Sequence, residues 1–171
     1  LYAGSTDKRV YALDVKTGSK RWEFETQGSV ELTAVGGGGT VFVGSGDGKL
    51  YALDGMTGTK RWEFETKGAI TGAAAVAPDG TVYFGANDNK IYALHGTTGA
   101  KKWEYRLDIH VTISPAIGAD GTVYTGLWDG KIYALNGQSG KQSWVFPVGG
   151  QHGAAQPAPA IGADGTISFG A

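Results

Sequence analysis

Tyr51-Ala52-Leu53-Asp54-Gly55-Met56-Thr57-Gly58-Thr59-Lys60-Arg61-Trp62 is one of four near-copies of a single phrase. Tyr-Ala-Leu returns at Tyr11, Tyr92 and Tyr133, so the copies stand 40, 41 and 41 residues apart, and Trp22, Trp103 and Trp144 follow at a near-fixed offset. A repeat of about 40 residues is too long for helical hairpin arrays and fits one four-stranded propeller blade. No stretch shows convincing helical periodicity.

The third copy shows the unit most clearly. Thr81-Val82-Tyr83-Phe84-Gly85 and Lys90-Ile91-Tyr92-Ala93-Leu94 are β-rich runs separated by a turn-forming Ala-Asn-Asp-Asn cluster. Thr98-Gly99 breaks the chain before Lys102-Trp103-Glu104-Tyr105-Arg106, where apolar and charged residues alternate with period two. Ile113-Ser114-Pro115-Ala116-Ile117 then opens the next unit. Four strands per unit follow, here A to D, with Tyr-Ala-Leu on C and the tryptophan on D.

Turn chemistry repeats in phase. The A–B turns fall at Gly38-Gly39, Asp79-Gly80, Asp120-Gly121 and Asp164-Gly165, and the B–C turns at Asp7-Lys8, Asp47-Gly48, Asp88-Asn89 and Asp129-Gly130. Charges alternating along strand D suit an outer edge, because a charged edge discourages recruitment of other strands. Pro147 fits the same position, being tolerated on edges and not in sheet centres. Small residues such as Ala73, Ala74, Ala75 and Val76 place strand A at the crowded centre.

Composition excludes several function classes. The chain has 171 residues with 30 glycines, 5 prolines and no cysteine, which removes disulfides, thiol nucleophiles and cysteine zinc sites. A formal net charge of −1 provides no basic field for nucleic acid. No apolar run reaches the roughly 18 residues of a membrane span. Leu1 enters in mid-repeat and Ala171 leaves near the same point of the unit, as expected for a piece of a longer protein.

Ala12 to Trp22 and Ala52 to Trp62 resemble the tryptophan-docking motif of the PQQ-like (pyrroloquinoline-quinone-type) β-propellers, Ala-x-Asp-x-x-Thr-Gly-x-x-x-Trp. The copies at 93–103 and 134–144 depart from it, with His95 and Asn136 for the aspartate and Ser139 for the threonine. The resemblance covers residues 1–171 as one segment. It implies an all-β propeller of four-stranded antiparallel blades, four of which make half of an eight-bladed ring or close on themselves. The C-terminal strand A at 159–163 is expected to pair with the N-terminal sheet, completing a small ring or joining two chains into an eight-bladed homodimer. In the motif the tryptophans Trp22, Trp62, Trp103 and Trp144 bridge blades, while Gly18, Gly58, Gly99 and Gly140 let the chain pass close beneath an indole. His95 makes a poorer cap than aspartate, so the third C–D turn is expected to be looser.

The resemblance also invites quinone and calcium, as in quinoprotein dehydrogenases. The residues give that little support: no acid cluster marks strand A or its leading loop, where Glu31 stands alone. The B–C aspartates lie one per blade, whereas calcium wants six or more oxygens at one point. His95 belongs to the opposite face from His110 and His152, so the histidines do not converge. No cofactor and no metal are therefore expected, with PQQ plus calcium as the alternative. One place breaks the repeat: Trp128 stands in a B–C loop where the other copies carry Thr6, Gly46 and Asn87, beside a lengthened D–A loop holding Gln151 and His152. These three form a candidate contact patch for a protein or peptide partner. The expected function is a non-enzymatic scaffold binding protein, peptide or polysaccharide, with a dehydrogenase fragment or a self-assembling half-ring as alternatives. The family resemblance favours the bacterial envelope.

Overall fold

A computed structural model of the chain describes residues 1–111, 114–127, 129–148, 159–162 and 164–168. Blade one contains β1 (Tyr2–Gly4), β2 (Arg9–Leu13) and β3 (Lys20–Glu25). Blade two contains β4 (Thr33–Val35), β5 (Thr40–Gly44), β6 (Lys49–Asp54) and β7 (Lys60–Glu65). Blade three contains β8 (Ala75–Val76), β9 (Thr81–Ala86), β10 (Lys90–His95) and β11 (Lys101–Arg106). Blade four contains β12 (Ala116–Ile117), β13 (Thr122–Leu127), β14 (Lys131–Asn136) and β15 (Gln142–Pro147), and β16 (Ala160–Ile161) with β17 (Ile167–Ser168) begins a fifth. Every sheet is antiparallel with strands in sequence order, as short hairpin turns dictate. The chain is an all-β propeller segment.

The repeated motif sets the register. Ala12, Ala52, Ala93 and Ala134 lie opposite Trp22, Trp62, Trp103 and Trp144, and a bulge follows the alanine in each blade. The small alanine leaves room for the indole, and the extra residue turns the outer strand. The inner strands β8, β12 and β16 are two residues long and follow β4 around the axis, where space is least.

Both faces of a blade are apolar, so the core lies between sheets. Val10, Ala12 and Trp22 of blade one meet Val41, Val43, Tyr51 and Leu53 of blade two. Phe42, Leu50 and Ala52 meet Val82, Phe84, Tyr92 and Leu94. Tyr83, Ile91, Ala93 and Trp103 meet Val123, Leu127 and Leu135. Thr125 occupies this last layer fully buried, its hydroxyl without a hydrogen-bond partner.

Within the single chain one expectation is not met. The C-terminal inner strand does not return to the N-terminal sheet: β16 pairs with β17 in a sheet of its own, and β1-β2-β3 remains three-stranded. The local turn explains the choice. Asp164 accepts hydrogen bonds from the Thr166 N–H and hydroxyl at 3.0 and 2.9 Å, and Gly165 takes the positive φ of 83° the hairpin needs. Closing so short a loop costs far less entropy than pairing strands at opposite ends of the chain.

Candidate functional site

Three tryptophans reach out of their own blades. The indole N–H donates to the Gly55 carbonyl from Trp22 at 2.9 Å, to Gly96 from Trp62 at 3.0 Å and to Gly137 from Trp103 at 2.7 Å. A Cβ on Gly58, Gly99 or Gly140 would lie 2.8, 2.8 or 2.6 Å from that same ring, so only glycine fits. Each glycine therefore lies beneath the tryptophan of the preceding blade, and not beneath the one in its own motif. A second aromatic leans on each indole: Tyr2, Phe42 and Tyr83 have ring centroids 5.6, 5.7 and 5.7 Å from Trp22, Trp62 and Trp103.

The series is open at both ends among the described residues. Trp144 has its companion Tyr124 at 5.7 Å, yet it is 41% exposed. Nothing lies within 4 Å of a Cβ built on Gly18. A further difference marks blade one. A Cβ at Gly55 would come within 2.6 Å of the Gly39 carbonyl of its own A–B turn, and Gly96 and Gly137 are hemmed in likewise by Gly80 and Gly121. Blade one carries Val15 at this position, 77% exposed.

The C–D turns share this face. The Asp14 carboxylate accepts the N–H of Lys16 and Thr17 at 2.9 and 3.1 Å, and Asp54 accepts those of Met56 and Thr57 at 3.0 Å each. Asn136 does the same for Gln138 and Ser139 at 3.1 and 2.9 Å. Hydrogen bonds from Arg21 and Arg61, reinforced by those turn amides, hold the Asp14 and Asp54 carboxyls down at about 2. The His95 turn keeps the backbone closure, with Gly99 N–H donating to His95 O at 2.8 Å as Gly18 N–H donates to Asp14 O at 2.9 Å. It differs from the other turns in its side-chain anchoring and not in its path.

The opposite face is organised by the B–C aspartates. Tyr11, Tyr51, Tyr92 and Tyr133, the tyrosines of Tyr-Ala-Leu, donate their hydroxyls to Asp7, Asp47, Asp88 and Asp129 at 2.6, 2.8, 2.6 and 2.9 Å. Burial, and then the carboxylate, raise the phenols of Tyr51, Tyr92 and Tyr133 far above their ordinary value. Asp47 and Asp88 also accept the N–H of Gln27 and Lys67 from the preceding blade, at 2.9 and 3.1 Å. These carboxylates tie turns together, one per blade.

The donor set of the described residues does not fit calcium. Among the described residues no three His, Asp or Glu side chains gather at one point. The His110 Nδ1 lies 2.6 Å from the Asn87 carbonyl oxygen in the B–C turn, while His95 sits in a C–D turn. Trp128, Gln151 and His152 lie outside the described residues. Two cavities were not legible from the repeat. One of about 560 Å³ is lined by Ile132, Trp144, Phe146, Val148 and Ile167 on the open side of blade four. The other, about 830 Å³, lies among the A–B turns, where Asp79, Asp120 and Gln138 surround Val76 and Ile117. The sequence signal for it was the Asp-Gly pairs, which read as hairpin formers and nothing more.

Comparisons with known proteins agree with this architecture. The crystal structure of BamB from Moraxella catarrhalis matches with a TM-score of 0.78 and 27% identity, over 95% of this chain and 49% of that one. The chain thus spans about half the length of the solved structure it matches. No curated protein matches it. A family model described as "Outer membrane protein assembly factor BamB" matches residues 6–164. With that match running through all four docking motifs, the chain belongs to the BamB family of PQQ-like propeller repeats.

Proposed function

We propose that this chain is part of a non-enzymatic propeller scaffold of the bacterial envelope, holding protein or peptide partners on its loop faces and blade edges. The observation that carries the reading is the fate of the acids. The turn aspartates are bound to amides and hydroxyls of their own or the next blade, and Glu23, Glu63 and Glu104 are each clamped between two cations. Groups spent on architecture are not free to converge on a substrate. The family description, an outer membrane protein assembly factor, supports a partner-binding role. The loop contact is placed in this proposal on Trp128, Gln151 and His152. Capture from a detergent-solubilised envelope extract tests it: outer-membrane proteins should be enriched, and Trp128→Ala should weaken capture with the melting temperature unchanged. A saturable, calcium-dependent change in quinone absorbance on titration with PQQ would instead favour the dehydrogenase.

A second reading concerns assembly. The face bearing Trp144 and Tyr124, and the turn bearing Gly18, are the two halves of a junction made three times within the chain. We propose that each takes a further blade, from the same polypeptide or from a second copy that closes an eight-bladed ring. Light scattering on the 171-residue chain decides the source: twice the monomer mass assigns the blades to a homodimer, and the monomer mass at all concentrations removes it.

A further inference from the structure

The outer strands are not equivalent. β3 and β7 read Lys-Arg-Trp-Glu-Phe-Glu and β11 reads Lys-Lys-Trp-Glu-Tyr-Arg, whereas β15 reads Gln142-Ser143-Trp144-Val145-Phe146-Pro147 without a charge. In the first three a central glutamate bridges two cations. Glu63 meets Lys49 at 2.7 Å and Lys60 at 2.6 Å, Glu104 meets Lys90 at 2.6 Å and Lys101 at 2.7 Å, and Glu23 meets Arg9 and Lys20 at 3.3 and 2.6 Å. Val145 takes the glutamate's place in blade four. Lys131, the neighbour it would have paired, turns to Asp129 at 3.4 Å.

The lost charges stand where they matter most for an edge. Val148 N–H donates to Gly130 O at 2.9 Å, and the register runs from Lys131 opposite Pro147 to Ala134 opposite Trp144. Bonded and non-bonded pairs alternate along an antiparallel ladder, so Phe146 and Trp144 bond inward to β14. The N–H and C=O of Val145, and the carbonyls of Ser143 and Pro147, therefore point out of the blade, while the N–H of Ser143, the bulge residue, turns inward because the Asn136 N–H donates to Lys141 O at 2.8 Å. The same phase holds in blade two, where Thr66 N–H donates to Gly48 O at 2.8 Å and leaves Glu63 and Glu65 outward. A strand adding to β7 would have to strip water from those charges, which is how such edges are kept single. At β15 that deterrent is missing.

We propose that β15 is an acceptor edge for an extended, uncharged polypeptide segment, which adds to blade four as a fifth strand. Backbone hydrogen bonds to Val145 and to the carbonyls of Ser143 and Pro147 supply the attachment, and Pro147, lacking an N–H, fixes where pairing stops. The added strand places one side chain beside Val145 and its flanking ones beside Trp144 and Phe146, so it carries apolar or β-branched residues on both faces. This rests on the scaffold reading and gives that reading a defined site.

The probe is a fluorescent peptide of three threonine–valine repeats with a lysine at each end, followed by anisotropy against the full chain. Saturable binding is expected, lost when the valine amides are N-methylated. Ser143→Arg combined with Val145→Glu, which restores the residues of β7, should weaken binding by about tenfold or more at unchanged melting temperature. Val145→Thr, uncharged and β-branched, should retain it. Equal binding of the N-methylated peptide, or of the charged double variant, overturns the proposal. So does an edge-to-edge dimer that the double variant dissolves, since that assigns the edge to a second copy. If the double variant still captures envelope proteins while the peptide never binds, the edge falls and the scaffold stands; loss of all capture by the unaltered chain sinks the scaffold itself.

Discussion

Trp62 and Trp144 are the same residue in the same motif, and they should behave differently when removed. Trp62 donates to Gly96 and covers Gly99, so Trp62→Ala opens a hole between two blades and is expected to cost about 3–5 kcal/mol. Trp144 is 41% exposed and touches no following glycine turn among the described residues, so Trp144→Ala in the isolated chain should cost under about 1 kcal/mol. Urea unfolding of the two variants side by side checks the contrast; equal losses would mean the indoles act within their own blades. Thr125 predicts a gain. Its hydroxyl is fully buried without a partner, so Thr125→Val, nearly isosteric, should stabilise by about 1 kcal/mol in the same assay. The sequence named four tryptophans and four glycines for docking; three of each are engaged among the described residues, and which pairs with which was left open. A spacing of four within a motif and one of 36 or 37 between motifs both recur along the chain, so only the fold separates them.

At the scale of the element, the C–D turn is a natural substitution series. Asp14, Asp54 and Asn136 bond the two following amides and His95 does not, so His95→Asp should add those bonds and an anion near Lys102. A rise in melting temperature worth about 1 kcal/mol is expected, and an unchanged curve would show that the backbone closure alone suffices. The acid limb follows from the same turns. The Asp14 and Asp54 carboxyls sit at about 2 in the folded chain against 3.8 ordinarily, so their contribution is complete above the ordinary value and is lost as pH falls toward 2. Melting temperature should therefore fall across that interval, and less steeply in an Asp14→Asn, Asp54→Asn double variant, which keeps the amide acceptor and sheds the titration. The long strands B, C and D were legible because alternation and turn residues mark them. The inner strands were legible from their small residues and their place in the repeat, but not their bounds: two residues such as Ala75-Val76 are too short to show a period. The missing charge on β15 was visible in sequence, but its meaning needed the hydrogen-bond phase.

For the whole molecule, stability is a sum over stacked neighbours. Blades two and three are covered on both sides, and β5 and β9 are buried along their entire lengths, whereas β15 is mostly exposed. Amide hydrogen exchange should be slowest in β5, β6, β9 and β10 and fastest in β15 and β16. Uniform protection would indicate a single cooperative unit instead. The period of the repeat gave away the propeller; the way its ends behave was beyond reach, because a local Asp-Gly hairpin and a long-range strand exchange look alike in sequence.

Val15 carries that point further. Three blades keep a glycine there because the carbonyl of their own inner hairpin turn presses against it, and a valine would collide. A blade that tolerates valine cannot hold an inner hairpin in that position. An inner strand that completes blade one therefore comes with a turn of a different path, one that stands clear of the valine. Where the other blades press an inner hairpin against a glycine, this side chain sets a wider clearance at the first sheet.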